Sequence, residues 1–226
     1  MHPSARIDNA AREPCRNRLS GCGGGHVSFR LAKLAGTVTA YDLSEDMLAV
    51  VAAEAARRGL NNIDTVRGAA EALDFAPASF DAVVSRYSAH HWQHLASGIK
   101  EARRVLKDDG IAIFIDVIAP ELTLYDTWLQ SVELLRDPSH VRDMTLSEWK
   151  RVIEAAGMAI EETVVGRLRL AFDPWIERLK TPLSHVVAIR SLQHGADSNV
   201  ARHFDIEDDG SFTVDTALIV ARPVPA

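Results

Sequence analysis

GCGGGHVSFRLAKLAGTVTAYD, residues 21–42, is the stretch of sequence that decides the fold. It begins with a glycine-rich run and continues into a helical pattern over residues 27–34. An apolar run, Thr37–Asp42, follows and is typical of a buried strand. Backbone N–H groups that no side chain covers can point at a ligand beside a helix N-terminus, where anionic groups are favoured. The run therefore predicts a ligand-binding turn, although a flexible loop without a ligand has the same composition.

Asp42 adds a second signal to the glycine run. It stands at the end of the predicted strand, about 20 residues beyond the glycines, where a carboxylate can accept hydrogen bonds from both hydroxyls of an adenosine ribose. The alternative is that Asp42 caps the following helix, with Ser44 as the competing cap. The spacing and the context together favour ribose binding.

Strands and helices alternate on the C-terminal side of this stretch. Further apolar runs predict buried strands at Ile63–Arg67, 82–86 and 111–118. Between them, Ser44 and Gly59 are the start and stop signals of one predicted helix, and residues 99–106 carry the apolar stripe of another. Strand–helix–strand repetition implies parallel strands joined by right-handed crossovers. We therefore predict an α/β fold with a doubly wound, mostly parallel sheet, helices on both faces, and ligands at the carboxyl ends of the strands.

The two ends of the chain differ from this middle part. Residues 1–20 mix charges, Pro, Asn and Ser without a regular period, so we predict a mobile leader followed by one domain over residues 21–222. In the last third we predict a helix at 146–156 after a capping pattern, then strands at Met158–Leu170 and 211–222. Residues 172–205 are predicted to form a helical insertion between these strands, suited to be a substrate lid.

Composition argues against several classes of partner. The net charge is −6, and Lys and Arg are scattered, so a basic patch for nucleic acid or anionic lipid is missing. No apolar run approaches the length of a membrane span, and residues 1–14 lack the apolar segment of a signal peptide. Cys15 and Cys22 are too few for a disulfide framework. We therefore predict a cytoplasmic protein that binds neither nucleic acid nor membrane.

Several segments beyond the glycine run occur in a recognisable order. They are GCGGGH (21–26), YDLS (41–44), GAAE (68–71), FDAVVS (80–85) and ARRVLKDDG (102–110). Through them, residues 21–222 resemble the class I S-adenosylmethionine-dependent methyltransferases, in particular the small-molecule enzymes similar to ubiquinone and menaquinone C-methyltransferases. The resemblance implies S-adenosylmethionine as cofactor and methyl transfer to a small-molecule acceptor. It places the methionine moiety against Gly21, Gly23 and Gly25, the ribose against Asp42, and the adenine against Leu43, Met47 and Ala70.

The chain departs from this family at two places. Similar proteins have a hydrophobic strand with an acidic residue just before the glycines, whereas residues 17–20 are Asn-Arg-Leu-Ser, with Leu19 in place of the acid. The first strand is therefore poorly specified, because a charged side chain in a central strand is costly unless it reaches solvent. A misplaced reading frame, truncation and divergence are alternative explanations. Ala69 stands where relatives often have Asp, which predicts weaker binding of the adenine amino group.

Reactive side chains follow the fourth predicted strand in RYSAHHW (86–92). Methyl transfer is an in-line displacement, so the protein must align donor and acceptor and, where necessary, remove a proton, for which histidine is suited near neutral pH. Our hypothesis is that His90 or His91 polarises or deprotonates the acceptor while Arg86 and Tyr87 orient it. Asp116, at the end of the fifth strand, is a candidate second base. In the alternative interpretation, a histidine packs or caps the next helix and Asp116 binds backbone amides.

Two other functions fit part of the sequence. A nucleotide-dependent oxidoreductase also uses a glycine loop and a ribose carboxylate, but its G-x-G-x-x-G pattern requires glycine at position 26, where His26 stands. The other alternative is a methyltransferase-like domain with an impaired cofactor site, inactive or a weak binder. No metal site is predicted, because His91 and His94 lack an acidic or thiolate partner at a ligand-like interval. The sequence specifies neither the acceptor nor the oligomeric state.

Overall fold

The computed structural model describes residues 17–21, 25–34 and 36–225. Within them, one sheet has the strand order β3-β2-β1-β4-β5-β7-β6. The strands are β1 Asn17–Gly21, β2 Thr37–Asp42, β3 Ile63–Arg67, β4 Phe80–Arg86, β5 Leu106–Ile118, β6 Met158–Leu170 and β7 Phe212–Pro223. The helices are α1 His26–Leu31, α2 Glu45–Arg57, α3 Leu95–Val105, α4 Thr123–Arg136, α5 Leu146–Ala155, α6 Phe172–Glu177, α7 Leu183–His194 and α8 Ser198–His203, with a 3₁₀ turn at Ala89–His91.

The first five strands form a parallel array. β1 pairs in parallel with β2 on one side and with β4 on the other, while β3 continues the array beyond β2 and β5 continues it beyond β4. The chain therefore builds outward from β1 in one direction and then returns to build in the other, which makes the β1/β4 junction the switch point of the sheet. The predicted α/β fold with a doubly wound, mostly parallel sheet is confirmed.

β1 is the element that the sequence specifies poorly. The prediction that residues 1–20 have no firm structure is wrong for residues 17–20, which belong to β1; residues 1–16 lie outside the described residues. Arg18 does not escape to solvent, since its relative exposure is 1% and it pairs with Val38 and Ala82. Leu19, in place of the expected acid, is 3% exposed. Backbone pairing with strands on both sides compensates for the unfavourable local composition.

Local signals predicted several element boundaries well. The bounds of β2, β3 and β6 are those expected from the apolar runs. Ser44 is the N-cap of α2 and accepts a hydrogen bond from the Met47 backbone N–H at 3.3 Å. At the start of α5, the Thr145 hydroxyl accepts from the Glu148 N–H and the Glu148 carboxylate accepts from the Thr145 N–H, at 3.2 and 2.9 Å. Both caps satisfy backbone donors that the first helical turn leaves open.

β5 is longer than its apolar run suggests. It begins at Leu106 rather than at residue 111, so the predicted helix at 99–106 ends at Val105. The cause is tertiary: Leu106 pairs with Phe80, and the register with β4 shifts before Ala82 pairs with Ile111. The polar residues 107–110, which have the composition of a turn, are thereby included in the strand.

The chain divides into two compact units. The first contains Met1–Asp116, Lys150–Val164 and Leu218–Ala226, and the second contains Val117–Trp149 and Val165–Ala217. The predicted insertion at 172–205 is thus only one part of the second unit, which takes α4 as well. In the part of the chain that the structure describes, no helix combines the length and apolar character needed to cross a membrane.

Each unit has its own apolar core. In the first unit, buried side chains of α1 and of the strands pack together, among them Val27, Leu31, Val38, Val84, Ile113 and Leu218. In the second unit, helical and strand side chains form an aromatic core that includes Trp128, Phe172, Trp175, Phe204 and Phe212. The candidate residues from the sequence that the structure describes all belong to the first unit.

Candidate functional site

The carboxyl ends of five parallel strands lie side by side along one edge of the sheet. Gly21 ends β1 opposite Tyr41 of β2 and Ser85 of β4. Asp42, the next residue of β2, is therefore on the neighbouring strand at the same edge, and adjacent strands are about 4.8 Å apart. The Gly68 N–H, just after β3, donates to the Asp42 carbonyl at 3.0 Å. The structure thus brings the start of the glycine run close to the predicted ribose carboxylate.

Gly25 closes the glycine run at the N-cap of α1. Its φ of 76° and ψ of −1° lie in the left-handed region, which side chains other than glycine rarely adopt. A Cβ atom there would lie 2.6 Å from Cζ of Phe29 and 2.9 Å from Cγ2 of Val51, both buried. Glycine at this position is therefore required by the backbone and by the packing beneath it. Gly23, the third predicted glycine of the cofactor loop, lies outside the described residues.

The Asp42 carboxylate is held by its own turn. Its Oδ1 accepts a hydrogen bond from the Ser44 N–H at 3.0 Å, whereas Ser44 itself caps α2. The capping role that competed with ribose binding in the sequence is thus taken by Ser44. Next to it, Leu43 is 64% exposed and Met47 is half-buried, so this corner offers an apolar surface beside a carboxylate.

The segment predicted to flank adenine, residues 68–71, is held in place by contacts with the Tyr41 hydroxyl. The Tyr41 hydroxyl donates to the Ala69 carbonyl at 3.3 Å and lies 3.5 Å from that of Ala72, while a Cβ at Gly68 would overlap this hydroxyl. Burial, with a smaller contribution from nearby carboxylates, raises the pKa of Tyr41 above its usual value, so the phenol keeps its proton for this bond. Ala70, a predicted adenine contact, is half-buried in the same segment.

Asp116 and His90 form a close pair at the end of β5. The Asp116 side chain is 2% exposed, and its Oδ1 lies 2.6 Å from Nδ1 of His90, which is 15% exposed. Its other oxygen, Oδ2, accepts from the Ala89 N–H at 2.9 Å. The carboxylate therefore binds a backbone amide, as one interpretation expected, and also contacts a candidate catalytic histidine. With the Nδ1 proton directed at Asp116, Nε2 of a neutral His90 is the basic nitrogen.

The neighbouring candidates are arranged around this pair. The ring of His91 lies 4.2 Å, centroid to centroid, from that of His90. Tyr87 has a φ of 49°, in the left-handed region, and its N–H donates to the Ile115 carbonyl at 2.8 Å. The Arg86 guanidinium lies 4.5 Å from the centre of the Tyr87 ring. Strained backbone of this kind is concentrated at functional sites.

Tyr87 is a neutral phenol in this setting. Its ring packs against the apolar core of the first unit, and burial raises the pKa of its phenol, an effect that the Arg86 charge partly opposes. A phenol with a raised pKa is neutral near pH 7 and can donate a hydrogen bond, but it is a poor base. The geometry therefore favours orientation rather than proton removal for Tyr87.

Sequence reasoning assigned no separate role to Tyr41 or Glu71. One oxygen of Glu71, Oε1, accepts hydrogen bonds from the backbone N–H groups of Gln93 and His94, at 2.8 and 3.3 Å. Nothing in the sequence marks these partners, because every residue type except proline supplies a backbone N–H. The contact joins the segment predicted to flank adenine to the loop that carries the histidines.

The side chains at this edge of the sheet fit an adenosyl cofactor that lies along the edge. Asp42 on β2 and Asp116 on β5 are three strand spacings apart in the sheet order, or about 14 Å. One end offers a carboxylate and an exposed apolar side chain, which suit a ribose and an adenine. The other end offers an imidazole on a buried carboxylate, which suits proton transfer to or from an acceptor.

Known proteins are similar in sequence to most of this chain. Residues 19–114 match the family model described as a methyltransferase domain. The uncharacterized protein YafE of Escherichia coli is 42% identical over 204 residues, which cover 90% of this chain and 99% of YafE. The uncharacterized methyltransferase YcgJ of Bacillus subtilis is 34% identical over 178 residues, or 78% of this chain and 70% of YcgJ.

Solved structures agree with the sequence relatives. The crystal structure of YcgJ matches with a TM-score of 0.93 at 30% identity, and the alignment covers 99% of this chain and 98% of that one. A putative methyltransferase from Bacillus halodurans matches with a TM-score of 0.90, also at 30% identity, over 99% of both chains. The chain therefore belongs to the family that its motifs resemble, the class I S-adenosylmethionine-dependent methyltransferases.

Proposed function

We propose that this chain transfers a methyl group from S-adenosylmethionine to a small-molecule acceptor and that His90 takes up the acceptor's proton. The observation that carries the proposal is the shared sheet edge, with Asp42 at one end and the His90–Asp116 pair at the other. When bound, the cofactor would supply a methyl group on a positively charged sulfur: the acceptor would bond to the methyl carbon as the carbon–sulfur bond breaks, and the neutral thioether would leave.

The cofactor site is proposed at the ends of β1, β2 and β3. Backbone groups of the turn that contains Gly21, Gly23 and Gly25 bind the methionine moiety, and the Asp42 carboxylate accepts hydrogen bonds from the ribose hydroxyls. The exposed Leu43, with Met47 and Ala70, covers the adenine. The bond from the Ser44 N–H supports this assignment, because it orients the Asp42 carboxylate before any ligand arrives.

The acid–base step is proposed at the ends of β4 and β5. The Asp116 carboxylate accepts a hydrogen bond from the Nδ1–H group of His90, so that Nε2 is the nitrogen that takes the acceptor's proton. Asp116 is then a positioning group rather than the second base. Arg86 and the neutral phenol of Tyr87 orient the acceptor, and His91 packs beside the base.

Two residues favour a variant of this function in which the cofactor binds more weakly. Leu19 is buried where similar proteins have an acid, and Ala69 offers no carboxylate to adenine. Both changes predict a reduced affinity for the cofactor, and in the extreme a methyltransferase-like domain without activity. The small size of the acceptor, a cytoplasmic location and the absence of a nucleic-acid partner stay predictions from composition and family.

Isothermal titration calorimetry with S-adenosylmethionine tests the cofactor site. We expect binding by the intact chain, and a loss of about 10- to 100-fold in affinity for Asp42→Asn, because a charged acceptor of two hydroxyl hydrogen bonds is replaced by a neutral one. Asp64→Asn, an exposed carboxylate on the neighbouring strand, is the matched control and should bind normally. Equal affinities of the two variants would refute the role of Asp42, and a folded chain without binding would favour the impaired domain.

A further inference from the structure

Glu71 connects two loops that the proposed function uses separately. It belongs to the segment predicted to flank the adenine, whereas its partners, Gln93 and His94, come after Trp92, the residue that ends the 3₁₀ turn of His90 and His91. Both hydrogen bonds converge on one carboxylate oxygen, Oε1. A displacement of Glu71 must therefore be transmitted to the backbone of residues 89–94, which we call the histidine loop.

The segment around Glu71 is itself held firmly. The Leu73 N–H donates to the Glu101 carboxylate at 2.8 Å, and the Arg104 guanidinium donates to the Leu73 carbonyl at 2.6 Å. Arg104 and Glu101 are also paired with each other, which lowers the pKa of Glu101 and keeps it charged. With the Tyr41 hydroxyl on Ala69 and Ala72, the backbone of the segment is held on two sides, while the Glu71 side chain extends from it to Gln93 and His94.

The histidine loop has two further anchors of a different origin. Asp116 binds Ala89 and His90 from the end of β5. Trp92 packs against Gly98 of α3, where a Cβ would overlap its ring. Of these three anchors, Glu71 is the one that comes from the cofactor side of the sheet edge.

We propose that Glu71 is a positioning residue that couples occupation of the adenosyl site to the placement of the His90 imidazole. The inference rests on the proposed function, because it takes residues 68–71 as the adenine segment. A ligand that contacts this segment shifts or tightens Glu71, and the two backbone hydrogen bonds pass the change to Gln93 and His94. Cofactor binding and base placement are then linked in both directions.

Three substitutions of Glu71 distinguish the effect of side-chain length from the effect of side-chain charge. Glu71→Gln removes the charge but keeps an oxygen at the same reach, so it can still accept both N–H bonds. Glu71→Asp keeps the charge but is one methylene shorter, and Glu71→Ala loses both properties. If Glu71 acts through its hydrogen bonds, Gln should behave as the natural residue does, whereas Asp and Ala should fail alike.

The test uses S-adenosylhomocysteine as the probe, followed by calorimetry and by the imidazole ¹⁵N resonances of His90 in the intact chain. We expect ligand-induced shifts of His90 in the natural chain and in Glu71→Gln. In Glu71→Asp and Glu71→Ala we expect these shifts to disappear and affinity to fall about fivefold or more, the lower end of typical couplings. Unchanged His90 shifts and unchanged affinity in Glu71→Asp would overturn the inference.

The same variants keep the inference separate from the proposed function. If the natural chain binds no S-adenosylhomocysteine, the proposed function fails, and the free protein still tests the positioning role. In that state Glu71→Asp should move the His90 resonances relative to the natural chain, and Glu71→Gln should not. Identical His90 resonances in the free Asp and Gln variants would reject the role. Should Glu71→Ala not fold, the Asp and Gln variants decide the matter.

Discussion

Asp116→Asn is the substitution that tests the proposed base most directly. Asp116 has one oxygen on the Ala89 N–H and the other on Nδ1 of His90, and its side chain is almost fully buried. An asparagine fits the same space but has only one oxygen. If that oxygen stays on the Ala89 N–H, the amide N–H₂ faces Nδ1 of His90, which must then become an acceptor. The proton of His90 moves to Nε2, and the proposed base is lost.

The expected size of the effect follows from the two hydrogen bonds. Each changes from a charge-assisted bond, worth about 1.5–3 kcal/mol, to a neutral one of about 0.5–1.5 kcal/mol, so we expect the free energy of unfolding to fall by about 2–3 kcal/mol. Methyl transfer to an acceptor that carries a proton should fall by about 100- to 10,000-fold, the range that a positioned general base contributes. Acceptors that need no proton removal should be affected much less.

Urea unfolding and ¹⁵N-edited spectra of the imidazole provide the assay. The natural chain should show His90 protonated at Nδ1 in its neutral form, and the variant should show it protonated at Nε2. Asp81→Asn is a suitable control, because Asp81 forms an ion pair with Lys107 at 2.6 Å in a more exposed place and should leave His90 unchanged. A variant of Asp116 that retains the Nδ1-protonated form of His90 would refute the reasoning.

Two further predictions concern stability and titration. Gly25→Ala should lower the free energy of unfolding by about 2–5 kcal/mol, the sum of left-handed backbone strain and overpacking. Gly59→Ala is the control, because Gly59 is also left-handed but has open space around it, and it should lower the free energy of unfolding by about 1–2 kcal/mol. Equal losses for the two variants in denaturant unfolding would contradict the packing role of Gly25. Hydrogen bonds from Arg57 and Arg58 lower the pKa of Glu54 from 4.5 to about 2. The ionised carboxylate is thus favoured in the folded state, and its contribution to stability, fully present above the unfolded pKa, is lost as the pH falls from 4.5 through about 2. A carboxyl titration by NMR should show this midpoint and an upward shift in Arg57→Ala, and an ordinary midpoint in the natural chain would exclude the bonds.

Local signals in the sequence were sufficient for most elements of the sheet. Some signals depend on neighbouring residues only. The apolar run at Thr37–Asp42 has the bounds of the observed strand, and Ser44 and Thr145 cap the helices that follow them, as expected. β1 could not be predicted in the same way, because Arg18 and its neighbours have no strand pattern and the strand is fixed by pairing on both sides. The early start of β5 has the same origin, since Leu106 pairs with a residue far away in the chain.

The candidate site was predictable where it follows from topology. The rule that ligands bind at the carboxyl ends of parallel strands, together with the spacing from the glycines, pointed to Asp42, to His90 or His91, and to Asp116, and the structure places these residues along one edge. The rule does not specify which atoms meet. The contact of Nδ1 of His90 with a carboxylate 26 residues away, and that of Glu71 with two backbone N–H groups, depend on side-chain rotamers and loop paths that leave no trace in composition.

The second unit has a consequence for engineering by exchange of segments. It is assembled from two stretches, Val117–Trp149 and Val165–Ala217, and its aromatic core takes Trp128 from one and Phe172 and Phe204 from the other. Removing residues 172–205 alone would leave the α4 side of that core open to water. Chimaeras between this chain and a relative should therefore transplant both stretches as a pair.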